Sequence, residues 1–223
     1  MKKSLLLLPL GLCMCVCLSA CTNDIQEYLR SHVSENCDTY FVGETNDFYV
    51  DLFSGVREKT YKLDGVSTEL IPYTIVSAKC KTDLDVKELQ YCVEIDGKTY
   101  EGAFSQNPYD GDLEADLGIT TSATQNVYVY LKFDNTTEVA TLKCVSKDFL
   151  VSPDTALDIA VDEIIGNNID FATDKNYECF VQVLNKDEAN HLYFWLINVI
   201  SSDGDIYTII VDVGTGKVLA KKL

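Results

Sequence analysis

From Tyr40 to about Ser146 the chain runs in short stretches that alternate apolar and polar residues, broken by Gly, Asn, Asp and Pro. Alternation with a period of two puts successive side chains on opposite faces, so each stretch reads as a half-buried β-strand. The pattern predicts strands at 47–53, 60–63, 73–81, 88–95, 98–104, 113–119, 126–133 and 139–145. Asp96-Gly97 forms a two-residue turn that needs positive φ, and Asp134-Asn135-Thr136-Thr137 closes a second hairpin. Many short strands joined by tight turns predict an antiparallel β-sandwich over residues 40–147.

Beyond Ser146 the period lengthens. Ser152-Pro153 supplies an N-cap and a proline at the first helical position. Ala156, Leu157, Ala160, Val161, Ile164 and Ile165 recur at helical spacing, and Gly166-Asn167 ends the run. Strand patterns return at 177–184, 192–201 and 205–213, the last continuing into 217–222, with Asp203-Gly204 as a tight turn. An amphipathic helix needs a surface to cover, so residues 148–223 are expected as one helix packed on a three- to four-stranded antiparallel sheet. The expected fold class is therefore mainly β with an α+β C-terminal part. Residues 21–39 are polar apart from one short helical phrase at 24–30 and read as a tether.

The N-terminus has a different character. Met1-Lys2-Lys3 is a cationic start, residues 5–18 are almost uninterruptedly apolar, and Leu18-Ser19-Ala20-Cys21 ends the run. This resembles the lipobox of bacterial lipoprotein precursors. The resemblance implies export, removal of residues 1–20 as a signal peptide, and diacylglycerol on the Cys21 thiol, with the mature protein anchored on the extracytoplasmic face of the cell envelope. Two acyl chains suffice for stable anchoring, at about 0.8 kcal/mol per buried CH₂. A retained transmembrane helix fits less well, because the apolar run falls short of the ~20 residues a span needs. Cys13, Cys15 and Cys17 lie within the segment to be removed and act there as small hydrophobes.

Near the C-terminus, Tyr193-Phe-Trp-Leu-Ile-Asn-Val precedes Ser202-Asp-Gly-Asp and a strand that ends with Val211, Asp212, Thr215, Gly216 and Val218. This order resembles a PepSY domain over about residues 150–223. PepSY modules occur in propeptides of thermolysin-like metallopeptidases and on envelope proteins, where they are credited with restraining peptidases. The resemblance implies that this chain holds an extracytoplasmic peptidase in trans, with Tyr193, Trp195, Ile197, Tyr207 and Ile209 as contact residues. Phe194 and Trp195 depart from the small and charged residues common at those places. The β-rich part resembles bacterial immunoglobulin-like domains as a loose pattern, without their tryptophan core signature.

Charge narrows the partners. The 223 residues carry 18 basic and 35 acidic side chains, a net −17. Loss of Lys2 and Lys3 with the signal would leave 16 against 35, or −19. Such a surface repels phosphate backbones and anionic headgroups, so nucleic acid is not an expected partner and membrane attachment falls to the lipid on Cys21.

Five cysteines follow Cys21, and an odd number cannot all pair within one monomer. Val76, Ala78 and Cys80 share one strand face, as do Leu142 and Cys144, which makes Cys80–Cys144 the candidate disulfide across two sheets. In a reducing habitat all five would remain buried thiols. Cys92 alternates with Tyr91 and Val93 and is expected to face outward. There is no Cys-x-x-Cys pair and only two histidines, His32 and His191, so no zinc site is expected.

No Gly-x-Ser-x-Gly elbow, His-Glu-x-x-His helix, phosphate loop or dinucleotide fingerprint occurs, and the chain is expected to be non-catalytic and without a cofactor. Asp110, Asp112, Glu114 and Asp116 admit a calcium reading, but they fit an ordinary half-buried strand better. Asp154, Asp158 and Asp162 stack on one helix face, either solvated or matched by a basic partner. The 193–200 strand is apolar on both faces; one face is left for the helix, and the other for the β-rich part or an outside protein. Tyr128 and Tyr130 alternate outward and suit a sugar ring or cross-strand pairing equally. The functional expectation is a lipid-anchored extracytoplasmic binding or regulatory protein. The alternatives are a structural or adhesive surface lipoprotein and a small-ligand binder.

Overall fold

The computed structural model describes residues 25–60, 62, 64, 66–82, 88–108, 111–167, 176–187 and 192–223. Helix α1 (25–31) leads into β1 (Val33–Glu44), β2 (Phe48–Glu58) and β3 (Leu70–Cys80). Next come β4 (Gln90–Ile95), β5 (Lys98–Ala103), β6 (Ser105–Gln106), β7 (Leu113–Asp116), β8 (Val127–Phe133) and β9 (Thr136–Cys144). A 3₁₀ turn at Ser146–Asp148 connects to α2 (Pro153–Gly166), then β10 (Tyr177–Asp187), β11 (Leu192–Ser201), β12 (Ile206–Asp212) and β13 (Val218–Lys222). The fold is mainly antiparallel β, as the alternation predicts.

One long sheet runs β13-β12-β11-β10-β1-β2-β3-β7-β6, and β5-β4-β8-β9 packs over part of it. Among the described residues every pairing is antiparallel except β1 with β10. Strand β1 is the organising element. One edge pairs with β2 throughout, while the other pairs with β10 at Val33–Asn36 and then with β9 at Phe41–Val42. The sheet therefore runs unbroken across residues 147 and 148.

Residues 21–39, expected as a tether, need correction from 25 onward. Leu29 of α1 is fully buried against α2 and β10–β12, and Val33–Thr39 form the first half of β1. Polar composition misleads here because Ser34, Glu35 and Thr39 are buried with hydrogen-bond partners. A buried polar group tolerates a core once paired, and composition alone does not reveal the pairing. The expected strand at 60–63 lies partly outside the described residues.

Two apolar clusters share one side of the long sheet. Ala156, Leu157, Ala160, Val161 and Ile164 of α2 pack on Cys179, Val181, Trp195, Ile197, Ile209 and their neighbours. Phe41, Phe48, Val50, Leu52 and Val76 pack against Val93, Val129, Leu131 and Leu142 of the smaller sheet. The register Val181↔Asn36↔Val56 carries the same face from β10 through β1 to β2. Turn chemistry agrees with the pattern: Asp96 and Gly97 both have positive φ, as do Asp134 and Asn135. The α2 N-cap is Ser152, whose Oγ accepts the Thr155 backbone N–H at 3.2 Å.

Candidate functional site

The opposite side of the long sheet carries a buried polar cluster at the joint between its two halves. Register places Phe180, Glu35, Arg57 and Ile71 in one row across β10, β1, β2 and β3, with Cys37, Gly55 and Tyr73 in the next. Glu35 Oε1 accepts the Tyr73 hydroxyl at 3.0 Å and Oε2 accepts Gln182 Nε2 at 2.8 Å. Ser34 Oγ donates to Glu178 Oε2 at 3.1 Å. Arg57 lies over the Tyr73 ring, 5.0 Å from its centroid, and pairs with Asp116. Two bulges in β1, at Val33/Glu35 and Cys37/Thr39, flank the stretch that carries Glu35 and Cys37.

Burial decides the electrostatics of the cluster. It raises the Glu35 carboxyl above its ordinary 4.5, and the hydrogen bonds from Tyr73 and Gln182 together with the Arg57 charge only partly offset it. Cys37 is pushed up to about 12, first by burial and then by the Glu35 charge. Tyr73 is raised by burial, then by Cys37 and Glu35. A thiol so protonated is a poor nucleophile at neutral pH, so Cys37 acts here as a packing group. The arrangement can hold a proton at the joint. Its residues escape pattern reading because Glu35 sits in a polar stretch and its partners are 38 and 147 positions away.

Glu35 should make the stability of the fold depend on pH. Its folded value exceeds its unfolded one, so the folded state binds more protons between the two and stability falls as pH rises through that window above 4.5. Glu35→Gln keeps an acceptor for Tyr73 and removes the titration. The variant should show a flatter profile of urea midpoint against pH across the carboxylate range, and an unchanged slope would reject the assignment.

The residues expected to meet a partner lie elsewhere. Trp195 is 1 % exposed, Ile197 and Ile209 are fully buried, and all three face α2. Trp195 Nε1 donates to the Val151 carbonyl at 2.8 Å, and Phe149 meets its ring edge-on at 5.7 Å. Tyr193 is half-buried between Tyr40 and Phe149, and Tyr207 is half-buried at the rim of the same core. These five do not form an open patch: α2 covers their face, and Phe194, Leu196 and Ile210, all half-buried, lie on the opposite one.

Cys21 and the preceding segment lie outside the described residues, as do Asp110 and His191. The candidate bridge is corrected: Cys80 and Cys144 are both free. Cys144 pairs with Phe41 on β1 and Cys80 with Phe48 on β2, so β1 and β2 separate them. Three strand spacings, about 14 Å, exceed the reach of a disulfide. Cys92 lies on the outer face of the smaller sheet, in the row Glu101–Cys92–Tyr130–Val139.

The acidic runs are also accounted for locally. Asp158 is matched by a bidentate Arg30 and Asp162 by Gln26, both from α1, so the basic partner of that row belongs to this chain. Asp116 pairs with Arg57, and Glu114 accepts Asn107 Nδ2 at 3.0 Å. Among the described residues no group of three or more His, Cys, Asp and Glu side chains is placed to hold a metal ion. Also among the described residues, no helix is long and apolar enough to cross a membrane. His32 stacks on Tyr28 at 4.1 Å and bonds its carbonyl, an N-terminal packing role. Compared with protein-family models, curated proteins and solved structures, the chain found no match.

Proposed function

We propose that this chain is a lipid-anchored, extracytoplasmic, non-catalytic binding protein whose C-terminal part restrains a peptidase. The observation that carries the reading is Leu18-Ser19-Ala20-Cys21 at the end of an apolar leader. The narrower part draws support from α2 lying on the antiparallel β10–β13 sheet, with Gly204 and Gly216 at positive φ in the turns that the PepSY resemblance quotes.

Two measurements test the two parts separately. Growth with a clickable fatty acid should label the wild type and leave Cys21→Ala unlabelled; label retained by the variant rejects the anchor. Added to thermolysin-like peptidases of the same envelope, the protein should lower their activity at stoichiometric ratios. Unchanged activity rejects the restraint and leaves the anchor standing.

A second reading, a structural or adhesive surface lipoprotein, is favoured by one observation. The hairpin aromatics are consumed in internal packing, with Trp195 almost wholly covered. A partner contact would therefore use surfaces other than Trp195, Ile197 and Ile209.

A further inference from the structure

Among the described residues, strand β13 is the terminal strand of the long sheet and pairs on one side only, with β12. Residues 219–223 are exposed, including Leu219 at 46 % and Leu223 at 41 %. An unpaired edge offers a row of backbone donors and acceptors that an extended segment can join. The edge is also charged against the grain of the molecule. The chain carries net −17, yet residues 213–223 hold Lys217, Lys221 and Lys222 and no acid. Lys221 is engaged with Glu163 of α2 and with Asn167 at its C-cap, whereas Lys217 and Lys222 make no ion pair among the described residues.

Charge selects the occupant. Lysine on an edge normally guards against sheet-to-sheet association, because a second copy would set lysine against lysine. The same lysines attract an acidic strand, which gains backbone pairing and opposite-charge neighbours together. The other exposed edges differ: β5 carries Lys98 and Glu101, of opposite sign, and β6 is two residues long. From these observations we propose that the free edge of β13 binds an acidic, extended segment of a partner by strand addition. The site stands on the sheet edge alone and does not require the peptidase reading.

The test uses the whole protein with two fluorescent peptides of about eight residues, the length of an ordinary strand. One alternates valine with glutamate, the other valine with lysine. The glutamate peptide should bind by anisotropy, weaken at high salt, and slow amide exchange within 218–222. Lys217→Glu with Lys222→Glu, which spares the Lys221 contacts to α2, should weaken it on the order of tenfold or more. Circular dichroism of the double variant should match the wild type. Equal binding of both peptides, protection elsewhere in the chain, or protection of 218–222 that rises with protein concentration alone would each overturn the proposal, the last in favour of a second copy.

Discussion

Trp195→Ala should lower the stability of this protein by about 3–5 kcal/mol, the range for removing a large buried aromatic side chain. Trp195 is the largest of the fully buried side chains and stands between α2, Phe149 and the β10–β12 sheet. Its loss opens a cavity beneath the helix and leaves the Val151 carbonyl without the indole N–H. Trp195→Phe retains most of the apolar volume and loses the hydrogen bond, so it should cost less than the alanine variant. Urea unfolding followed by far-UV circular dichroism checks both: the midpoint should fall in the order wild type, Phe, Ala, with similar slopes. A loss below about 1 kcal/mol for alanine would place Trp195 at the surface, contrary to its burial. The same experiment guards against a false functional result, because a partner lost on Trp195→Ala would reflect a damaged core.

Elements with strong local signals were legible in the sequence. Ser152 caps α2, its apolar positions at 156, 157, 160, 161 and 164 are all buried, and the Asp96-Gly97 turn adopts the expected positive φ. Strand β1 is absent from the strands that the alternation places, although its second half opens the alternating region at Tyr40. Its first half contains Ser34 and Glu35, buried and paired with Glu178, Gln182 and Tyr73, contacts that no local periodicity encodes. The hairpin failed for a different reason. With both faces of β11 apolar, alternation shows that two surfaces exist and leaves open which one the helix covers. Trp195 supplied the only hint, since a buried indole needs an acceptor and Val151 begins the connection into α2. Cys80 and Cys144 illustrate the limit of reasoning from faces: both point into the same cluster as expected, yet register along the sheet keeps them apart.

Gly55→Ala should be nearly as damaging as the loss of Trp195, for a steric reason. Gly55 lies opposite Cys37 at the second bulge of β1, where the two strands approach so closely that a Cβ would sit 1.9 Å from the Asn36 carbonyl oxygen. The obstruction is backbone, so no rotamer change relieves it, and β1 must move away from β2 at the point where it also carries β10. Forcing atoms into a closed space typically costs 1–3 kcal/mol, and a strand displaced from two neighbours belongs at or beyond the upper end, about 3 kcal/mol. Gly166→Ala is the control: nothing lies within 4 Å of its Cβ position, and alanine at a helix end should leave stability unchanged or raise it by up to about 1 kcal/mol. Cys37 reports on the mechanism. It is 2 % exposed in the wild type and should resist thiol reagents there, whereas separation of β1 from β2 should open it to labelling before global unfolding. If Gly55→Ala lost stability with Cys37 still protected, the damage would lie outside the joint, and the β1 bulge would not be what holds the two halves of the sheet together.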